Sequence, residues 1–221
     1  MDFAIEEHGF ALARGVIDSA ACAALVGELG PVAGAGRRRL LAIPRVAELA
    51  ASDRVLNLVR PHLATQPVPT RAIYFDKSPA SNWSVSWHQD ITIAVDQEVD
   101  LPGFRAWCTK DGIPHVQPPV EFLAQMLTVR IHFDDANEMN GALRVVPGSH
   151  CHGRLTPPQV REQLEMHHEH LCCAGAGDIL LMRPLLLHSS GRSTSARHRR
   201  VLHIEYAGFE LRPELGWHTG A

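Results

Sequence analysis

Two side chains that can bind a metal, His88 and Asp90, stand two residues apart in the segment NWSVSWHQD (82–90). In a β-strand, residues two apart project to the same face, so an imidazole and a carboxylate can point together. With one further imidazole they would complete a 2-His-1-carboxylate triad, which leaves positions open on a non-haem Fe(II). The pattern predicts a metal site whose third ligand lies far along the chain.

The strongest candidate for that third ligand is His188, which follows the apolar run 185–187, interpreted as a strand, and precedes four arginines between 192 and 200. An arginine after a metal ligand suits a dicarboxylate cosubstrate, because a guanidinium pairs with a carboxylate through two parallel hydrogen bonds. Adjacent strand residues face opposite sides, so only one of Arg199 and Arg200 can point inward. Arg199 is favoured, and Arg130 and Arg197 are the next candidates.

Three blocks of sequence, in order, resemble the phytanoyl-CoA dioxygenase family of Fe(II)- and 2-oxoglutarate-dependent oxygenases. They are WHQD (87–90), NGALRVVPGSH (140–150), and His188 with Arg199 and Arg200. The resemblance implies a double-stranded β-helix (jelly roll, cupin-like) with His88, Asp90 and His188 as iron ligands. It also implies that Arg199 binds 2-oxoglutarate, with Arg200 as the alternative. A tryptophan after the H-x-D motif often flanks the cosubstrate in this family, and Trp107 is the nearest match.

The resemblance implies an enzyme that uses O2 to oxidise an unactivated C–H bond of a small molecule, with release of succinate and CO2. A cupin-like metal-binding protein without oxygenase activity, a sensor or an isomerase, is the alternative, and it would have no need of Arg199. Halogenation is disfavoured because Asp90 occupies the position at which halogenases of this type carry a small residue. A free secondary metabolite or an amino-acid-like compound is the expected substrate class.

Length and composition favour one soluble domain over residues 1–221. The chain is 45% hydrophobic and 20% charged, with a formal net charge of -3, so nothing indicates a nucleic-acid partner. Residues 1–10 lack the basic and apolar regions of a secretory signal, and no apolar run is long enough for a membrane span. Five cysteines without a repeating spacing predict a reduced, cytoplasmic protein. The oligomeric state stays open.

Helical patterns fill residues 1–69, alternating strands fill the β-helix core 70–206, and 207–221 is a tail, which together predict an α+β fold covered by helices. An edge strand is expected within 9–17, a helix from Asp18 to Gly30, and a second helix over 46–58. In 127–133, apolar and polar residues alternate, so Arg130 should line an interior cavity. The Pro- and Gly-rich segment 96–119 is predicted to be a long loop that acts as a lid.

Overall fold

The computed structural model describes residues 2–32, 34 and 36–218. Within these residues the helices are α1 (Ile5–His8), α2 (Ser19–Leu29), α3 (Pro44–Ala51), α4 (Asp53–Val59), α5 (Val120–Ala124) and α6 (Pro157–Met166). The strands are β1 (Phe10–Ala13), β2 (Val68–Lys77), β3 (Val85–His88), β4 (Ile93–Ala94), β5 (Arg105–Lys110), β6 (Ile113–Gln117), β7 (Met126–His132), β8 (Leu143–Val145), β9 (His170–Cys172), β10 (Ile179–Met182), β11 (His188–Ser190) and β12 (Arg199–Ala207).

Two antiparallel sheets form the centre of the fold. The larger has the strand order β1-β10-β7-β12-β2, and the smaller has the order β3-β11-β8-β9. Neighbours in these sheets are far apart in the chain, since β1 pairs with β10 and β2 with β12. The edge strand predicted within residues 9–17 is confirmed as β1. The mixed helix and sheet class predicted from the sequence is also confirmed.

The alternation along β7 and β10 separates two layers of core. Leu127, Val129 and Ile131 of β7 lie in one apolar cluster with residues of α2, α3 and α4, so this face of the larger sheet is covered by helices. The opposite face of β10, through Leu180 and Met182, packs against residues of β8 and β9. Polar residues on this second face of β7 are therefore buried between the two sheets, as the alternating pattern predicted.

The N-terminal helices differ from the prediction at one point. Asp18 caps α2 as predicted, accepting a hydrogen bond of 2.8 Å from the backbone N–H of Ala21. The prediction of a single helix over 46–58 is wrong, because Ser52 is extended and separates α3 from α4. Val46 and Val55 are both fully buried. In a continuous helix, nine residues would turn them roughly 180° apart, so the break lets both segments bury their apolar face.

The prediction of a long irregular loop over 96–119 is wrong. Its second half forms β5 and β6, which pair with each other and with β4 in a three-stranded sheet. Asp111 and Gly112, both at positive φ, form the tight turn between β5 and β6, and an Asp-Gly pair is a strong hairpin signal. The neighbouring prolines and glycines obscured that signal in the sequence.

The segment after β12 is not a loose tail. Phe209 and Leu215 are buried in the apolar cluster of the three-stranded sheet, and Trp217 forms a β-bridge with Val95. Residues 219–221 of the predicted tail lie outside the described residues. All five cysteines are free thiols. Among the described residues, no helix combines the length and apolar character that crossing a bilayer requires.

Candidate metal centre

The positions of the three predicted ligands are fixed by strand pairing. His88 is the last residue of β3, and His188 is the first residue of β11, directly opposite it in the antiparallel register. Asp90 follows two residues after His88, where its backbone N–H donates a 2.9 Å hydrogen bond to the Pro184 carbonyl. The structure thus brings His188 to two side chains that precede it by about a hundred residues of sequence.

Their side chains converge closely. Asp90 Oδ1 lies 3.8 Å from His88 Nε2, and Asp90 Oδ2 lies 3.7 Å from His188 Nε2. The three potential ligand atoms all lie within 4.8 Å of one another, and in the described part of the chain no other group of three His, Cys, Asp or Glu residues does so. Gln89 points away and is hydrogen-bonded to Gly153, Leu155 and Leu185.

Hydrogen bonds to backbone carbonyls orient both imidazoles for metal binding. His88 Nδ1–H donates to the Ser86 carbonyl and His188 Nδ1–H to the Leu186 carbonyl, each over 2.8 Å. A carbonyl can only accept, so Nδ1 of each ring carries a proton, and the neutral ring then has its lone pair on Nε2, which faces Asp90. An outer hydrogen bond of this kind orients a histidine ligand and raises its basicity. Residues 185–187, predicted as a strand, instead form the turn that supplies the Leu186 carbonyl.

The electrostatics of Asp90 fit a bound cation. Burial alone would raise the pKa of its carboxyl, but His188, His203, His88 and Arg71 outweigh burial and lower that pKa to about 2. Its Oδ2 is buried without a hydrogen-bond partner among the described residues. Burial also lowers the pKa of His188 to about 4, which keeps that imidazole neutral. A charged carboxylate with a free oxygen and two imidazoles that present Nε2 to it are the ligand set that Fe(II) accepts.

The three side chains open into a cavity of about 280 Å³ between the two sheets. Its other lining residues are Phe75, Trp83, Val85, Arg130, Leu143, Ser189, Ser190, Arg199 and His203. The mixture of apolar walls with a few convergent polar groups is typical of a small-molecule site.

The alternation of β12 separates the two adjacent arginines. Arg199 is 3% exposed and lines the cavity, and its buried Nε has no hydrogen-bond partner in the described part of the chain. Burial, aided by the nearby Arg130, lowers the pKa of Arg199 to about 9. Arg200 faces the other side, where its Nη2 and Nε donate to the Asp134 carboxylate over 2.6 and 2.7 Å. Of these two adjacent arginines, only Arg199 lines the cavity.

The structure also shows polar residues that the sequence analysis missed. Lys77 is fully buried directly opposite Arg199, and its Nζ donates to Ser190 Oγ over 2.6 Å and to the Gly191 carbonyl over 2.5 Å. Burial and the neighbouring arginines lower the pKa of Lys77 to about 7. Ser190 is two residues beyond His188 on β11, so the spacing that identified His88 and Asp90 could have found it.

The tryptophan beside the cavity is Trp83, whose ring centre lies 5.4 Å from Lys77 Nζ. Trp107, the residue matched to the family's tryptophan, lies on β5 and packs against the apolar cluster of the three-stranded sheet. Trp107 is not among the residues that line the cavity, and its predicted place beside the cosubstrate stays a prediction.

Comparisons with known proteins agree with this geometry. Residues 5–201 match the family model described as phytanoyl-CoA dioxygenase. The chain is 26% identical over 186 residues to a probable alpha-ketoglutarate-dependent hypophosphite dioxygenase of Stutzerimonas stutzeri, with 77% of this chain and 56% of that protein aligned. It therefore spans less than two thirds of the length of that relative.

Two crystal structures show the same fold at low identity. AviO1 from Streptomyces viridochromogenes Tue57 is 22% identical with a TM-score of 0.67, and the match covers 95% of this chain and 94% of that one. EctD from S. alaskensis with bound Fe is 17% identical with a TM-score of 0.71, and the match covers 92% of this chain and 74% of that one. Because the family model matches most of its length, the chain belongs to the phytanoyl-CoA dioxygenase family, as its sequence motifs predicted.

Proposed function

We propose that this protein is an Fe(II)- and 2-oxoglutarate-dependent dioxygenase that hydroxylates an unactivated C–H bond of a small molecule and releases succinate and CO2. The observation that carries the proposal is the cavity itself, in which two imidazoles and a carboxylate face a buried guanidinium whose Nε has no hydrogen-bond partner among the described residues. Three protein ligands would leave positions on the metal for the cosubstrate and for O2. The bound iron would supply the oxidising chemistry.

The proposal assigns roles to six polar residues in and around the cavity. His88, Asp90 and His188 hold the iron, and Arg199 binds the far carboxylate of 2-oxoglutarate. Lys77 stands directly opposite Arg199 and donates to Ser190, so these two residues support the part of the site that receives the same carboxylate. Burial strengthens these charge-assisted hydrogen bonds, since water cannot screen them.

A metal-binding sensor or isomerase of the same fold is the weaker hypothesis. Such a protein requires the three ligands but has no use for Arg199, and a buried cation without a partner costs free energy. Arg199 and Lys77 thus favour a protein that binds a dicarboxylate.

We further propose that the two facing sheets are a double-stranded β-helix, or jelly roll, and that residues 1–221 form a single catalytic domain. A cavity of about 280 Å³ lies just below the usual range for ligand pockets. Once 2-oxoglutarate is bound, the remaining volume of the cavity accommodates only a small primary substrate. Five free thiols favour a cytoplasmic location.

The test is an anaerobic titration of metal-free protein with Fe(II) and then 2-oxoglutarate, followed by a screen for compounds that stimulate succinate release in air. Hypophosphite belongs in that screen because a relative's name includes it. We expect one Fe(II) per chain and an absorption band that appears only when both components are present.

The variant His88→Ala should lose the band and the activity, whereas His168→Ala, at an exposed histidine outside the site, should keep both. Full activity in metal-depleted protein, or an unchanged band in His88→Ala, would contradict the proposal. Both variants should remain folded, because a site with open positions contributes less to folding than a closed structural site.

A further inference from the structure

A second buried arginine, Arg130, lines the same cavity and has no carboxylate partner. It lies on β7, directly opposite His203 of β12, and is 6% exposed. Its Nη1 donates a 3.0 Å hydrogen bond to His203 Nδ1, and its buried Nε has no hydrogen-bond partner in the described part of the chain. Among the described residues no ion pair involves Arg130, and the carboxylate whose charge acts on it, Asp90, is one of the proposed iron ligands.

The carboxylate that Arg130 reaches through His203 is already neutralised. Glu205 forms an ion pair with Arg71 and also accepts a 3.3 Å hydrogen bond from His203 Nε2. His203 can accept from Arg130 at Nδ1 only as a neutral ring that carries its proton on Nε2. The chain Arg130–His203–Glu205–Arg71 therefore holds one negative and two positive charges, and the unmatched positive charge is at the cavity end.

One positive charge again remains unpaired when the charges of the site with bound iron and 2-oxoglutarate are added. This step rests on the proposed function. Iron contributes two positive charges and Arg199 one, while Asp90 contributes one negative charge and 2-oxoglutarate two, so these four groups sum to zero. Arg130 is then one positive charge in excess, and a protonated Lys77 would add to it. A buried cation of this kind is costly unless a ligand pairs with it.

We propose that Arg130 binds an anionic group of the primary substrate, which is therefore a small molecule that carries a carboxylate or another oxyanion. Phe75 lies 5.8 Å from the guanidinium carbon and supports it through a cation–π contact. Val85 and Leu143 supply apolar surface in the same cavity for the rest of the molecule. Arg130 thus selects and positions the substrate, while Arg199 holds the cosubstrate.

The experiment adds acetate or hypophosphite, as small anionic probes, to the anaerobic protein loaded with Fe(II) and 2-oxoglutarate. Acetamide is the neutral match for acetate. Binding is followed as a perturbation of the absorption band, whereas loss of the band would indicate displacement of 2-oxoglutarate. We expect wild-type protein to prefer acetate over acetamide. Arg130→Met should weaken anion binding about 10- to 150-fold, as for a lost charge-assisted hydrogen bond, and should leave 2-oxoglutarate affinity nearly unchanged.

The controls separate this inference from the proposed function. If the band never forms in wild-type protein, the proposed function fails. If the band forms but neither anion binds, or acetamide binds as tightly as acetate, the role of Arg130 is refuted. Weakened 2-oxoglutarate binding in Arg130→Met, with anion binding unchanged, would make Arg130 a cosubstrate residue instead. Arg200→Gln serves as the matched control, since Arg200 points away from the cavity.

If Arg130→Met does not fold, Arg130→Lys replaces it. This variant keeps the charge but loses the planar pair of donors. It should still bind acetate more tightly than acetamide. Its loss of acetate affinity should be smaller than the loss expected for Arg130→Met. A lysine variant without that preference, or a wild-type protein without it, overturns the assignment.

Discussion

Arg199 and Arg200 are adjacent residues of the same type, and their surroundings give them different tasks. The first lies buried in the cavity with its Nε unpaired, and the second is bound to Asp134 at the surface. Strand geometry forces this division, because successive side chains project to opposite faces. The alternation continues just past the end of β3, where Gln89 points away and His88 and Asp90 lie close enough to share one cation.

The first prediction concerns these two arginines. Arg199→Gln should raise the 2-oxoglutarate dissociation constant about 10- to 150-fold, which corresponds to the loss of a charge-assisted hydrogen bond. Arg200→Gln should leave that constant unchanged and lower the free energy of unfolding by about 1 kcal/mol, as expected for a partly exposed ion pair. Anaerobic titration and urea unfolding measure the two effects. Equal changes in 2-oxoglutarate binding at both positions would contradict the assignment.

The second prediction concerns the carboxylate ligand. Asp90→Ala removes the only anionic ligand, so iron affinity should fall by more than about 100-fold, the upper end of the effect of outer-sphere partners. Hydroxylation should disappear. Halogenation need not follow, since a vacated position does not by itself place a substrate near a halide. Iron content after dialysis and succinate release provide the measurement, and undiminished hydroxylation would show that Asp90 is not a ligand.

At the scale of elements, the β5–β6 hairpin decides which tryptophan lies near the chemistry. The hairpin directs Trp107 into the apolar cluster of the three-stranded sheet. Trp83, in the segment before β3, lies beside Lys77 at the cavity. A resemblance in sequence order alone could not distinguish a tryptophan on a hairpin from one on a loop that lines the site.

The third prediction tests that difference. Trp107→Ala should lower the free energy of unfolding by about 1 to 3 kcal/mol, less than for a fully buried tryptophan, and should not change 2-oxoglutarate affinity. Trp83→Ala should weaken 2-oxoglutarate or substrate binding with a smaller effect on stability. The matched pair is compared by urea unfolding and by anaerobic titration. If Trp107→Ala weakened 2-oxoglutarate binding and Trp83→Ala affected only stability, Trp107 would be the tryptophan beside the cosubstrate.

At the scale of the whole molecule, the proposed site joins two sheets that are separate hydrogen-bonded units. The triad is carried by β3 and β11 of the smaller sheet and the loop after β3, whereas Arg199 and Arg130 belong to the larger sheet. A metal with bound 2-oxoglutarate would therefore connect the sheets across the cavity. Binding should stabilise the folded protein as a unit.

The fourth prediction measures this connection. At a ligand concentration 100 times its dissociation constant, binding stabilises the native state by about 2.7 kcal/mol. For a chain of 221 residues, this raises the melting temperature by roughly 5 to 10 °C. Anaerobic calorimetry with Fe(II) and 2-oxoglutarate should show the shift in wild-type protein and in Arg200→Gln. The shift should be absent in His88→Ala. A wild-type melting temperature that stays unchanged when both ligands are added would contradict the proposed site.

Local patterns in the sequence determined the features that depend on neighbouring residues. The spacing of His88 and Asp90 defined a candidate pair of ligands, Asp18 marked the start of α2, and the alternation in 127–133 separated helix-facing from cavity-facing residues. These predictions succeed because the periodicity of a strand and the capping of a helix are properties of short segments. The ordered motif blocks added the family.

Tertiary structure alone decided which distant residues share the cavity. Lys77 and Ser190 are separated by 113 residues, yet they form a 2.6 Å hydrogen bond, and Glu205 pairs with Arg71, which precedes it by 134 residues. The break at Ser52 likewise exists because α3 and α4 must both face one sheet. Such outcomes depend on packing between segments that are remote in the chain, and no periodicity within a short window encodes which segments will meet.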